Sequence, residues 1–185
     1  MIHVLYLDDE ELNLTAFRAA FRRVFQVYVT SEPTEAVRML REHPIEVIIS
    51  DQKMPNLSGV EFFELITPDH PDPVRMLLTG YADIDAVIDA INKGQVYKYI
   101  SKPWNEAELE SLVREAADVF HQRKNVAQAG QRLIEKMDEA RLYAQDIIKR
   151  TDPPVDLPSP VVEEIAGLAQ RIDKTLQDTK KSAAR

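Results

Sequence analysis

The stretch Val47-Ile48-Ile49-Ser50-Asp51-Gln52-Lys53-Met54-Pro55 decides how this chain folds. A run of β-branched residues leads straight into a carboxylate, and a proline closes the loop that follows. A short, nearly all-apolar run of this kind reads as a strand covered on both faces. An acid at the end of such a strand is costly to bury unless something offsets its charge. The offset has to be sought at the ends of other strands.

Comparable apolar runs lie at residues 2–7, 26–30, 45–50, 74–79 and 96–101. Helix-like segments separate them. Residues 11–24 carry Leu12, Leu14, Phe17, Ala20, Phe21 and Val24 at helical spacing, and 34–41, 60–66 and 83–92 also read as helices. Lys93-Gly94 closes the last with a cation and a C-terminal glycine. Alternation repeated over about 120 residues predicts an α/β fold with a doubly wound five-stranded parallel sheet. In such sheets the ligand site lies beyond the carboxyl ends of the strands.

Composition narrows the function. A net charge of -8 argues against broad nucleic-acid binding and against docking on anionic membranes. With no cysteine there is no disulfide framework and no thiolate metal site, which fits a reducing cytoplasm. No apolar run approaches the roughly 20 residues of a membrane span. The start, MIHVLYLDDE, turns acidic at once and is not read as a signal peptide.

The strand ends collect a particular set of side chains. Asp8 and Asp9 follow the first strand, Asp51 the third, Thr79-Gly80 the fourth and Ser101-Lys102-Pro103 the fifth. Three acids, a hydroxyl and a lysine are therefore expected on one rim. Oxygens of Asp8, Asp9 and Asp51 sharing a divalent cation would offset the buried charge. Hard oxygen ligands with room for water and a phosphoryl group suit Mg²⁺. Asp51 then keeps one oxygen free as a nucleophile.

These residues, in this order, resemble the receiver domain of bacterial two-component response regulators. The resemblance spans residues 2–120 and rests jointly on Asp8-Asp9, Asp51-x-x-Met54-Pro55, Thr79 and Lys102-Pro103. It implies a flavodoxin-like receiver fold, Asp51 as phosphoacceptor, and Asp8 and Asp9 as metal-binding acids, Asp9 the more direct ligand. The backbone carbonyl of Lys53 would complete the shell around Mg²⁺. Thr79 and Lys102 would hold phosphoryl oxygens after transfer, Tyr99 would be the switch aromatic, and Lys102-Pro103 would carry a cis bond. The donor would be a histidine kinase or a phosphotransfer protein. The family tunes hydrolysis two residues after the phosphoacceptor and two after the threonine. Lys53 and Tyr81, both bulky, imply a slowly hydrolysing acyl phosphate. The stretches around Thr79 and Lys102 are also similar to receivers of hydrogenase-type activators and of cyclic-di-nucleotide phosphodiesterase regulators.

A plainer reading stands beside each residue. Asp8, Asp9 and Glu10 alone would be caps for the first helix, and Tyr99 alone a packed tyrosine in an edge strand. His121 reads as a solvated helix residue, and His3, His43 and His70 show no metal-ligand spacing. There is no Walker loop and no Gly-rich dinucleotide loop.

Beyond the receiver-like part, Asn105 and Glu108 predict a capping box. The helix they open carries a heptad seam from Leu109 to Ile147, interrupted only by Arg123 and Gly130. That predicts a coiled coil, with Gly130 a candidate kink. Ile134 and Ile148 widen the stripe and ask for a second neighbour. Residues 151–160, with four prolines, read as a stiff linker. Ser159-Pro160 then opens a short amphipathic helix through Val161, Ile165, Leu168, Ile172 and Leu176. Either it packs on the long helix in a dimeric four-helix bundle, or it belongs to a domain this chain lacks. The predicted organisation is a receiver over 1–122, a coiled-coil dimerisation helix over 123–150, the linker over 151–160, and a helix and tail over 161–185.

The sequence thus predicts a cytoplasmic receiver that switches a downstream protein, or its own dimerisation through the C-terminal helices, without nucleic acid or membrane. One alternative is the receiver and linker of a longer regulator or enzyme. Another, of a different class, is a phosphatase with Asp51 as nucleophile and Asp9 as acid, for which no cap or substrate pocket is visible.

Overall fold

The computed structural model describes residues 1–80, residues 96–150 and Gly167. Five strands, β1 (His3–Leu7), β2 (Gln26–Thr30), β3 (Val47–Asp51), β4 (Val74–Thr79) and β5 (Lys98–Ser101), form one sheet in the order β2-β1-β3-β4-β5. Every pairing is parallel. Around it lie α1 (Glu11–Phe21), α2 (Pro33–Glu42), α3 (Gly59–Ile66) and the start of α4 (Glu106–Arg150). The order steps outward in both directions from β1 and β3, which creates the crevice at the carboxyl ends.

The period of two along each strand sends alternate residues to opposite faces. On one face Val4, Tyr6, Ile49, Met76 and Leu78 pack with Phe17 and Phe21 of α1 and with Leu109, Val113 and Phe120 of α4. On the other, Leu5, Leu7, Ile48 and Leu77 pack with Ala36 and Leu40 of α2 and with Phe62 and Phe63 of α3. All five residues of β3 are buried, as a strand covered on both faces requires.

The boundaries differ from the sequence reading in instructive places. Helix α1 stops at Phe21, because the chain turns through Arg22 and Val24 to deliver Phe25 into the core. Strand β3 begins at Val47 and includes Asp51, so the acid is the last residue of the ladder. Proline sits in the first turn of α2, where no amide hydrogen is needed. A reciprocal capping box occurs at Ser58 and Glu61 of α3. At Asn105 the side chain accepts from the Ala107 and Glu108 amides at 3.0 and 3.1 Å, which caps α4 from one side.

The chain divides into two units, Met1–Lys124 and Asn125–Arg185. Helix α4 is a single 45-residue helix, with Gly130 inside it. In the second unit Val126, Leu133, Leu142 and Tyr143 are exposed. Ile134, Met137, Asp138 and Arg141 are half-buried. The predicted helix over 83–92 with its Lys93-Gly94 stop, Tyr81, the linker and the last amphipathic helix lie outside the described residues.

Candidate functional site

Four strand ends build the rim. Asp8 follows β1 and is fully buried. Asp51 ends β3 and Thr79 ends β4, exposed by only 6% and 3%. Lys102 follows β5, where its amide donates to the Thr79 carbonyl at 2.9 Å, and the Lys102-Pro103 peptide is cis. The lysine side chain points into the rim. Its Nζ lies 2.8 Å from Asp8 Oδ2 and also contacts Asp51 Oδ1.

Asp8 is held on every side. Oδ1 accepts from the Glu10 amide at 2.9 Å, and Oδ2 from the Tyr6 hydroxyl and Lys102. Asn13 Nδ2 lies 3.0 and 3.1 Å from the two oxygens. Burial alone would push the carboxyl up; the bonds from Lys102, Tyr6, Asn13 and Glu10 outweigh it and hold it below the ordinary range. Burial would likewise lower the Lys102 ammonium, but Asp51 and Asp8 raise it on balance. The buried ion trio answers the cost posed by Asp51: at this rim a lysine offsets the carboxylates.

Asp51 is fixed from below. Its Oδ2 accepts from the Lys53 amide at 2.6 Å, and its backbone carbonyl accepts from Ser50 Oγ at 2.9 Å. Gln52 ties the strand to α3: its backbone carbonyl takes the Gly59 amide at 3.1 Å and its side chain takes the Val60 amide at 3.2 Å. A Cβ on Gly59 would stand 2.4 Å from the Asp51 carbonyl oxygen and 2.6 Å from Leu77, so only glycine fits there. The intervening loop turns through Asn56 at φ 67°, a left-handed conformation asparagine tolerates.

The structure therefore joins Asp8, Asp51 and Lys102. Thr79 stands buried beside them, its Oγ1 donating to the Gly80 carbonyl at 2.9 Å. Asp9 is exposed, and among the described residues no three acids or histidines gather closely enough to hold a metal ion. The expected three-acid cage is thus not preformed; the Lys102 ammonium stands between Asp8 and Asp51. The donor set is nonetheless oxygen only, without imidazole or thiolate, which fits a hard cation such as Mg²⁺. At Lys53 it is the amide that meets Asp51. Tyr99 is 41% exposed on β5.

Sequence reasoning passed over Tyr6, Asn13, Gln52 and Gly59. Tyr6 was legible as the residue two before Asp8, hence on the same side of the strand. Asn13 belongs to the turn of helix that follows the acids.

At the opposite ends of the strands a cavity of about 470 Å³ is lined by all four histidines, His3, His43, His70 and His121, with Glu46 and Lys124. His121 is exposed, as its place on a helix suggested, and its Nε2 lies 2.8 Å from Oε2 of the nearly buried Glu46.

Comparison with known proteins agrees with the geometry. The family model described as the response regulator receiver domain matches residues 4–114, more than half of the chain. The hydrogenase transcriptional regulatory protein HoxA of Bradyrhizobium diazoefficiens is 35% identical over 127 residues, 69% of this chain and 26% of that protein. Its namesake in Cupriavidus necator is 37% identical over 62% of this chain and 24% of that protein. This chain thus spans about a quarter of the length of these relatives. A response regulator receiver domain protein from Clostridium thermocellum superposes with a TM-score of 0.61 at 29% identity, covering 69% of this chain and 99% of that one. The chain belongs to the response regulator receiver family.

Proposed function

We propose that this receiver accepts a phosphoryl group on Asp51 from a histidine kinase or phosphotransfer protein, in a Mg²⁺-dependent reaction. The observation that carries the reading is the Lys102 ammonium set between two nearly buried carboxylates at the carboxyl rim of a parallel sheet. Asp9, Asp51 and the Lys53 carbonyl are the groups proposed to hold Mg²⁺ directly, with Asp8 the less direct of the metal-binding acids. When bound, the cation neutralises charge on the phosphoryl oxygens.

The chain's own residues do the rest. A carboxylate oxygen of Asp51 attacks phosphorus in line as the bond to the donor breaks. The Lys53 amide orients the carboxylate from its far oxygen. Lys102 then passes from Asp51 to a phosphoryl oxygen, keeping one charge-assisted bond throughout. Thr79 turns its hydroxyl from the Gly80 carbonyl to another phosphoryl oxygen, and Tyr99 moves inward into the space released. The test is mass spectrometry after incubation with acetyl phosphate and Mg²⁺. Wild type gains one hydroxylamine-labile phosphoryl group and Asp51→Asn gains none; equal labelling of both would refute the assignment.

Receivers are signalling domains, and the output proposed here is interaction with a downstream protein or with a second copy through the exposed residues of α4. Among the described residues no helix is long and apolar enough to cross a membrane, and the proposed location is the cytoplasm. A second reading, in which the chain is the receiver part of a longer regulator, is favoured by its spanning only a quarter of its relatives.

A further inference from the structure

The proposed reaction uses Asp8 but assigns nothing to the side chain beneath it. Tyr6 is fully buried in β1, its ring stacked on Phe17 with centroids 4.4 Å apart. Its hydroxyl donates to Asp8 Oδ2, the oxygen that also receives Lys102. The Glu10 amide and Asn13 hold the remaining positions. A carboxylate offers about four acceptor sites, and these donors fill them. A cation bonding Asp8 directly must displace one.

The donors differ in how readily they leave. Lys102 is a quarter exposed and has Asp51 as a second partner. Asn13 lies on α1 and is half-buried, within reach of water. Tyr6 has neither freedom. Its ring is fixed by packing, and a buried hydroxyl stripped of its acceptor is penalised. The O–H dipole points its positive end at Asp8, where a fraction of a cation's charge would otherwise act.

We infer that Tyr6 is a positioning residue that keeps Asp8 out of direct metal coordination and lowers the affinity of the rim for divalent cations. The inference rests on the reading of this rim as the Mg²⁺ site. It assigns the residue two before the first acid a role in setting how much Mg²⁺ the resting receiver carries.

The test is an equilibrium Mg²⁺ titration of the full chain without any phosphoryl donor, followed by calorimetry and by the fluorescence of Trp104, the single tryptophan. Wild type, Tyr6→Phe, Asn13→Ala and Asp51→Asn are compared. Tyr6→Phe keeps the ring and its packing on Phe17 and removes only the donor. Its Kd for Mg²⁺ is expected to fall roughly three- to tenfold, the range of one charge-assisted bond partly replaced by water. Asn13→Ala is expected to shift the same way, and it carries the test should Tyr6→Phe not fold. General damage to the site weakens binding, so tightening separates this role from a structural one. An unchanged or weaker Kd in the folded variant overturns the role of Tyr6 while leaving the Mg²⁺ site intact. Wild type that binds no more Mg²⁺ than Asp51→Asn overturns both the role and the site.

Discussion

Replacing Lys102 by methionine tests the electrostatics of the rim directly. The substitution keeps most of the stem and removes the charge, leaving Asp8 and Asp51 facing each other at 0% and 6% exposure. Removing one partner from a buried ion pair costs roughly 3–5 kcal/mol. The Lys102 side chain is 25% exposed, so solvent screening places the expected loss near the bottom of that range, about 3 kcal/mol. For a unit of this size each kcal/mol moves Tm by about 4 °C, which predicts a fall of about 12 °C in EDTA at neutral pH. Two controls follow from the same argument. Millimolar Mg²⁺ restores most of the loss, because a divalent cation replaces the missing charge. Acid erases the difference: Asp8 has a lowered folded pKa, so the stability it brings is present above its unfolded value and lost as pH falls through the folded one. Circular dichroism melts of both proteins, with and without Mg²⁺, read all three arms. Equal Tm values in EDTA at neutral pH would refute the claim that the lysine offsets the buried acids.

Three further outcomes are expected. Gly59→Ala drives a methyl group against the Asp51 carbonyl and Leu77 and should cost about 1–3 kcal/mol in urea unfolding, with slower phosphorylation by acetyl phosphate; a variant as stable and as fast as wild type would remove the steric argument. Lys102 has a raised folded pKa, so its contribution is complete below its unfolded value near 10.5 and is lost as pH rises through the folded one; in melts from neutral pH upward, wild type should exceed Lys102→Met by a constant margin to about pH 10.5, a margin that narrows only above it, and a margin that varied across the neutral range would refute this. Val126→Glu with Leu133→Glu places charge on the two exposed apolar residues seven apart on α4 and should abolish any dimer seen by light scattering while leaving labelling of Asp51 unchanged; a dimer that survives both charges uses another surface.

Much of the fold was legible because its signals are local. Apolar runs of strand length, separated by segments of helical period, gave five strands within a residue or two, and their buried character gave the parallel sheet. The rim was legible because the strand ends are where the polarity breaks: Leu7 gives way to Asp8, Ser50 to Asp51, Ser101 to Lys102. What escaped depends on contacts between segments distant in sequence. The bond from Tyr6 to Asp8 needs the rotamer, and the closeness of Gly59 to the Asp51 carbonyl needs the crossing of α3 over β3. That Lys102 would stand between Asp8 and Asp51 also depends on the fold bringing three strand ends together. His121 is the surface residue its helix period suggested, but that period alone does not reveal its neighbour Glu46 in the connection before β3.

The four histidines at the base of the sheet have a practical consequence. Strands β1, β3 and β4 each run from this base to the acidic rim, a separation of roughly 17–20 Å for five or six residues. Imidazole protons resonate apart from the crowded aliphatic region, so the protein carries four native spectroscopic probes at one end of its strands and none among the acids at the other. A perturbation confined to the rim leaves those signals still, whereas one that slides or twists the strands displaces them together. Magnetic resonance of the unlabelled protein can therefore distinguish a local chemical event from a movement of the whole sheet, with no tag and no engineered residue.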